Sequence, residues 1–263
     1  MKANFHTHTF RCNHAGCSDQ RYVDVAIEAG IGTLGFSDHA PYVGFEGDFY
    51  SFYRMRPEQL EDYVTSVNEL REQYKGRIDI HLGLEAEYYP KLFPKLLEFL
   101  KPYGIEYLIL GQHYLDDDQH GMYVQWVNTE EDMVRYADQC VEALETGAFS
   151  YIAHPDIVGL DRKHPAFRRE MKRILECSGR LGLPVEVNVL GIYRDRIYPC
   201  EEFLDLCREC GSRVILGIDA HLPEQFTDAP SIEKAYNLIE KYGLEVTETI
   251  DTTRFLRYYE ANT

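Results

Sequence analysis

Short apolar runs alternate with helical stretches along almost the whole chain. The runs at 3–8, 33–38, 78–84, 106–111, 150–154, 184–189 and 214–219, with a weaker one at 244–248, have the length and continuity of strands. Between them, apolar residues recur at helical spacing over 21–29, 57–74, 91–100, 130–145, 167–181, 200–210 and 231–242. Gly30, Gly76 and Gly243 stand where three of these helices should stop, since glycine readily takes the left-handed conformation that ends a helix. Strict β/α alternation predicts a parallel sheet, closed or nearly closed into a barrel. No linker, repeat or low-complexity tract interrupts the pattern, so residues 1–263 read as one domain. Two stretches break the short-loop rule and carry aromatic and arginine side chains. Residues 41–56 hold Tyr42, Phe45, Phe49, Tyr50, Phe52 and Tyr53 and end in Arg54 and Arg56, and residues 189–199 hold Tyr193, Arg194, Arg196 and Tyr198. Long loops after strand ends commonly serve as lids or substrate walls.

The chemistry sits at the ends of the apolar runs. His6 and His8 close the first run, His39 follows Gly35 to Asp38, and His113 follows Tyr107 to Gly111. His154 follows Tyr151 to Ala153, and His221 follows Val214 to Ala220. Glu85 and Asp219 occupy equivalent positions. Parallel strands in a barrel bring such residues together on the C-terminal rim. His6 and His8, two apart, point the same way from an extended strand. Imidazole with carboxylate is ligand chemistry for zinc, iron or manganese. A single histidine of this kind is as readily a satisfied core residue; six strand-end histidines with two carboxylates are not. His14, in the loop after the first strand, is ambiguous alone. His81, His120 and His164 read as structural or solvent-facing, and Cys207-x-x-Cys210 reads as a helix face because no second pair accompanies it.

Taken in order, the motifs His6-Thr-His8, His14-Ala, Phe36-Ser-Asp-His39, Gly83-Leu-Glu85-Ala, Gly111-Gln-His113, Ala153-His154-Pro-Asp and Gly217-Ile-Asp219-Ala-His221 resemble those of the polymerase and histidinol phosphatase (PHP) superfamily. The resemblance covers almost the entire chain. It implies an α/β fold, a distorted TIM-like (β/α)7 barrel, with three divalent transition-metal ions (Zn, Fe or Mn) at the C-terminal rim. It assigns His6, His8, Glu85 and Asp219 to one ion. Glu85 bridges to a second ion completed by His113 and His154, and His14, His39 and His221 hold the third. Within the superfamily the chain is most similar to the histidinol-phosphatase branch, through Phe52-Tyr-Arg-Met55, Leu82 to Tyr88 and Val185-Glu-Val-Asn188. It departs from that branch at Gly111-Gln112, where Ser-Val is common, and at Pro155, where Phe is common.

The implied reaction is hydrolysis of a small phosphomonoester, such as histidinol phosphate, by a metal-bridging hydroxide. Glu85, Asp219 and Asp38 are the candidate catalytic carboxylates, the last two as proton sources for the leaving group. Arg162, Arg194, Arg196 and Arg54 are candidates for holding the phosphoryl oxygens, which a planar guanidinium matches. Glu87, Asp156, Glu46 and Asp48 are candidate partners for a cationic end of the substrate. Alternatives are another small phosphate ester, a nuclease and a non-catalytic barrel.

Composition narrows these. A formal charge of −17 argues against a nucleic-acid footprint, which needs basic surface. No apolar run approaches the roughly 20 residues that span a bilayer, and the first residues show no signal-peptide core, so no membrane partner is expected. Seven irregularly spaced cysteines suit reduced thiols in a cytoplasm. Every ligand position holds a competent donor, which disfavours the non-catalytic reading.

Overall fold

Seven parallel strands make the barrel in the computed structural model, which describes residues 1–262. In chain order the first half contains β1 (Ala3–Asn4), α1 (Asp19–Glu28), β2 (Thr33–Phe36), α2 (Leu60–Gln73), β3 (Asp79–Ala86), α3 (Phe93–Leu100) and β4 (Tyr107–Leu110). A small antiparallel hairpin follows, β5 (Tyr114–Leu115) and β6 (Met122–Tyr123), and then α4 (Glu130–Glu145), β7 (Phe149–Ile152), α5 (Pro165–Arg180) and β8 (Val185–Asn188). The last part holds α6 (Val189–Tyr193), α7 (Glu201–Cys210), β9 (Arg213–Gly217), α8 (Ala229–Tyr242), β10 (Glu245–Val246) and α9 (Arg254–Asn262).

The sheet runs β1-β2-β3-β4-β7-β8-β9-β10, every neighbour parallel. It closes where Thr7 bridges Ala220, with His8 N donating to Ala220 O at 2.9 Å and Ala220 N to His6 O at 3.1 Å. β10 pairs only with the start of β9, Glu245 opposite Arg213 and Val246 opposite Val214. On this edge the start of β9 therefore pairs with β10, whereas the segment just past β9 pairs with the segment past β1, and seven strands reach the rim. β1 is shorter than the predicted 3–8 for a local reason. Asn4 turns its side-chain amide onto His6 O (2.9 Å) and Thr7 Oγ1 (2.8 Å) and accepts from Ile218 N (2.8 Å), so a side chain supplies part of the seam.

β4, β7 and β8 are buried at every position, as parallel strands covered on both faces should be. Phe5, Tyr107, Ile109, Tyr151, Ala153 and Ile215 fill the barrel interior, while a larger core lies between the sheet and the helices. The predicted helices all appear. Pattern alone does not reveal α6, the β5–β6 hairpin or α9. α6 lies inside the predicted loop 189–199, started by Asn188 Oδ1 accepting from Gly191 N at 2.8 Å. α9 packs against β4 and β7.

Candidate metal centre

Strand geometry delivers the candidate ligands to one place. Glu85 is the last residue but one of β3, His154 lies two residues past β7, and Asp219 lies two past β9. His154 (φ 29°) and Asp219 (φ 56°) sit in the left-handed region, where a side chain is strained and the surroundings must hold it. Asn188 supplies part of that hold, its amide donating to Asp219 Oδ2 at 3.1 Å and to Glu186 Oε2 at 3.0 Å.

Glu85 is central and fully buried. Its Oε1 lies 3.4 Å from His6 Nε2, 3.1 Å from His154 Nε2 and 3.8 Å from His113 Nε2. Its Oε2 lies 3.0 Å from His39 Nδ1 and 3.5 Å from His8 Nε2. Asp219 Oδ1 lies 3.1 Å from His8 Nε2 and 3.4 Å from His6 Nε2. His14 joins through ring contacts with His39 and His221, centroids 5.3 and 4.7 Å apart. All nine candidate ligands therefore converge. Donor atoms of His6, His8 and Glu85 lie within 4.8 Å of one another, as do those of His8, His39 and His221.

Two glycines make room for the carboxylates. A Cβ on Gly111 would stand 1.9 Å from Glu85 Oε1, and one on Gly217 would stand 1.7 Å from Glu186 Oε1. Glu186 was legible only as part of a strand motif, yet it holds His6 Nδ1 at 2.8 Å and His154 N at 3.0 Å. Glu87 holds His113 Nδ1 at 3.0 Å, while the Cys12 and Asp219 carbonyls hold the Nδ1 atoms of His14 and His221. Fixing one imidazole nitrogen aims the other, an arrangement typical of metal-binding histidines.

The donors fit divalent cations on hydrogen-bonding and electrostatic grounds. His6 Nε2, both ring nitrogens of His8, Glu85 Oε2 and His154 Nδ1 are buried without a hydrogen-bond partner, a costly state for polar atoms unless something else binds them. Burial opposes charge on His6, but Asp219, Glu186 and Glu85 push its pKa up to about 10. Burial also opposes ionisation of Glu85 and Asp219, yet the surrounding imidazoles hold both well below the usual carboxylate range. His39 and His221 move down, through burial and neighbouring histidines. The carboxylates demand positive charge, and the rings that cannot carry it remain available as neutral donors. Cys12 is buried with its sulfur within 4.8 Å of donor atoms of His14 and His221.

A cleft of about 510 Å³ opens over the centre. Arg194 and Arg196 line it from the 189–199 loop, and Tyr53, Tyr114, Tyr123, Trp126 and Tyr198 form aromatic walls. Other expected substrate contacts are engaged elsewhere. Arg162 does not line the cleft: its guanidinium donates to the carbonyls of Val158 (2.6 Å), Leu160 (2.9 Å) and Asp156 (2.8 Å), tying down the loop after His154. Arg54 borders the cleft but is buried, bound to Glu87 and Asp118. Asp38 stands behind His8, accepting from His39 N at 2.8 Å and from the Thr9 hydroxyl, outside the cleft lining. Glu87 is committed to Arg54 and His113, and Asp156 accepts from Cys200 N at 2.7 Å. Glu46 and Asp48 are exposed and do not line the cleft.

Fold and site define a class: an α/β barrel with a buried, histidine-rich cluster of candidate metal ligands at the C-terminal rim. The chain belongs to the PHP domain family, whose pattern matches residues 4–189. It is 27% identical over 248 residues to a probable histidinol-phosphatase of Deinococcus radiodurans, covering 85% of this chain and 89% of that protein. It is 30% identical to the histidinol-phosphatase of Bacillus subtilis (strain 168) over 124 residues, 45% of this chain and 46% of that one. In structure it superposes on the histidinol phosphate phosphatase of Lactococcus lactis subsp. lactis Il1403, solved in complex with zinc, L-histidinol and phosphate. The TM-score is 0.73 at 21% identity, with 96% of this chain and 98% of that one covered.

Proposed function

We propose that the chain is a metal-dependent phosphomonoesterase that hydrolyses histidinol phosphate to histidinol and phosphate. The observation carrying this reading is the juxtaposition of partnerless buried donors, beneath a cleft, with two exposed arginines that line it. His6, His8, Glu85 and Asp219 would hold one divalent ion, Glu85 with His113 and His154 a second, and His14, His39 and His221 a third, as Zn, Fe or Mn. When bound, such ions lower the pKa of water and neutralise charge on a phosphoryl group.

The chain's own residues do the rest. Arg194 and Arg196 offer guanidinium forks to the phosphoryl oxygens. Glu186 and Glu87 keep His6 and His113 in the tautomer that leaves Nε2 free. Of the two carboxylates considered as proton sources only Asp219 lines the cleft, and it is held ionised among the candidate ligands, so the departing alkoxide would take its proton from water. The cleft-lining acids are committed to the centre or to Arg54, so the ammonium and imidazole of the substrate fall to the faces of Tyr114, Tyr123 and Trp126, which attract cations. Trp126 is 68% exposed, a large apolar surface whose cover would be the bound substrate.

The test is phosphate release by protein reconstituted with Zn, Mn or Fe, using histidinol phosphate beside sugar phosphates and nucleotides. Histidinol phosphate should lead by at least about tenfold in kcat/KM, or about 1.4 kcal/mol. A sugar phosphate or nucleotide that matched it would overturn the substrate, and no turnover with any ester would overturn the phosphatase.

A further inference from the structure

Residues 41–56 were expected to be a lid or substrate wall, and the structure ties them down through one buried arginine. Arg54 Nη1 and Nη2 donate to the two oxygens of Glu87 at 2.9 and 3.0 Å. On its other edge, Nε and Nη2 donate to the two oxygens of Asp118 at 2.8 Å each. Nη1 also reaches Ala40 O at 3.1 Å, and Tyr89 donates its hydroxyl to Asp118. Glu87 spends its Oε1 twice, on Arg54 and on His113 Nδ1 at 3.0 Å. The loop has further anchors: Asn13, beside His14, donates to Tyr50 Oη and to Phe52 O, and Gln119 exchanges hydrogen bonds with the Glu46 backbone. One guanidinium thus joins the 41–56 loop, the hairpin turn and a carboxylate that grips a candidate metal ligand.

We propose that Arg54 is a positioning residue for the metal centre, fixing Glu87 so that Glu87 aims His113, and thereby coupling the 41–56 loop and the hairpin turn to metal occupancy. The coupling is chemical. A carboxylate free to rotate holds an imidazole weakly, whereas one clamped bidentately holds it in a single direction. Coupling between two sites is reciprocal, so metal at His113 should steady the loop to the extent that the loop steadies His113. The proposal rests on the metal-centre reading above.

Metal uptake by the wild-type protein is measured first, and a chain that takes up no Zn or Mn ends both that reading and this one. Arg54→Lys keeps the buried charge but cannot span both carboxylates; Glu87→Gln keeps the shape and removes the charge on His113. Chelator-competition titration with Zn should show the affinity of one ion falling about 10- to 100-fold in each variant, the scale for residues that orient a ligand. The double variant should lose little more than either single one, because both act through one contact. A folded Arg54→Lys protein with a lowered Tm and wild-type metal affinity would reduce Arg54 to a structural role and overturn the proposal. Additive losses would also overturn it, by detaching Arg54 from Glu87. Hydrogen exchange on the wild-type chain keeps the test open if Arg54→Lys fails to fold. Loading with Zn should slow exchange in residues 50–56 and 116–119, and an unchanged rate there would count against the coupling.

Discussion

Gly217→Ala replaces one hydrogen with a methyl group directly against Glu186. The new Cβ would lie 1.7 Å from Oε1 and 2.5 Å from Cδ, whereas real Cβ contacts essentially never fall below 3.0 Å. Glu186 must therefore retreat by more than about 1 Å, since overlap of this kind is relieved only by movement. It has little freedom, being held by His6 Nδ1 at 2.8 Å and by His154 N and Asn188 Nδ2 at 3.0 Å each. Retreat breaks the charge-assisted bond to His6, worth about 1.5–3 kcal/mol. Overpacking adds about 1–3 kcal/mol of destabilisation, and each kcal/mol shifts Tm by about 2–4 °C in a chain of this size. The predicted result is a Tm lowered by several degrees and a roughly 10- to 100-fold loss of metal affinity, read by thermal melting and by chelator competition. Gly179→Ala is the control. That glycine lies exposed in α5 with nothing within 4 Å of a Cβ, so alanine should leave metal binding alone and raise stability by about 0.5–1 kcal/mol. Wild-type metal affinity in Gly217→Ala would refute the claim that Glu186 aims His6.

The arginines divide by what their guanidinium groups already hold. Arg194→Ala and Arg196→Ala should lower kcat/KM about 10- to 1000-fold, with stability changed by no more than about 0.5 kcal/mol; full activity in both would move phosphate recognition elsewhere. Arg162→Ala should instead lower Tm, because three carbonyls lose their donor, and an unchanged Tm would contradict that structural role. Away from the centre, burial opposes charge on Glu106 but His81 and Arg71 hold its pKa below 4.5. A carboxyl depressed on folding adds stability above its unfolded pKa and loses it as pH falls through the folded value. Wild type should therefore be more stable than Glu106→Gln at neutral pH, with the Tm gap closing below pH 4.5; a gap independent of pH would exclude the linkage.

The apolar pattern located the strands within a few residues because burial on both faces leaves continuous runs such as Tyr107–Leu110. It located eight of the nine candidate ligands because a parallel barrel puts the residues at the ends of such runs on one rim, whereas His14, in a loop, was legible only through the family resemblance. What escaped it depends on contacts that no periodicity displays. Arg54 looked free because Asp118, its partner, is 64 positions away. Arg162 looked free because its acceptors are backbone carbonyls, which no sequence advertises. Glu186 did carry a signal, a carboxylate inside the apolar run Val185 to Val189, and a charge there must find a partner. The left-handed backbone at His154 and Asp219 had none, since neither residue type requires it. The strands of the β5–β6 hairpin, two residues each, are too short to show any period.

The seam at Thr7 and Ala220 joins segments more than two hundred residues apart, and the candidate ligands on either side of it belong to those segments. Loops of that length close slowly and late relative to local helices and neighbouring strands. During synthesis His6 and His8 leave the ribosome early and wait for Asp219 and His221 before they have companions. Chain order thus sets when the centre can be completed: the full set of candidate ligands comes together only after the segment past β9 has docked on the segment past β1. A metal ion bound there would in turn staple the barrel shut, and removing it with a chelator should speed unzipping from this edge more than from any other.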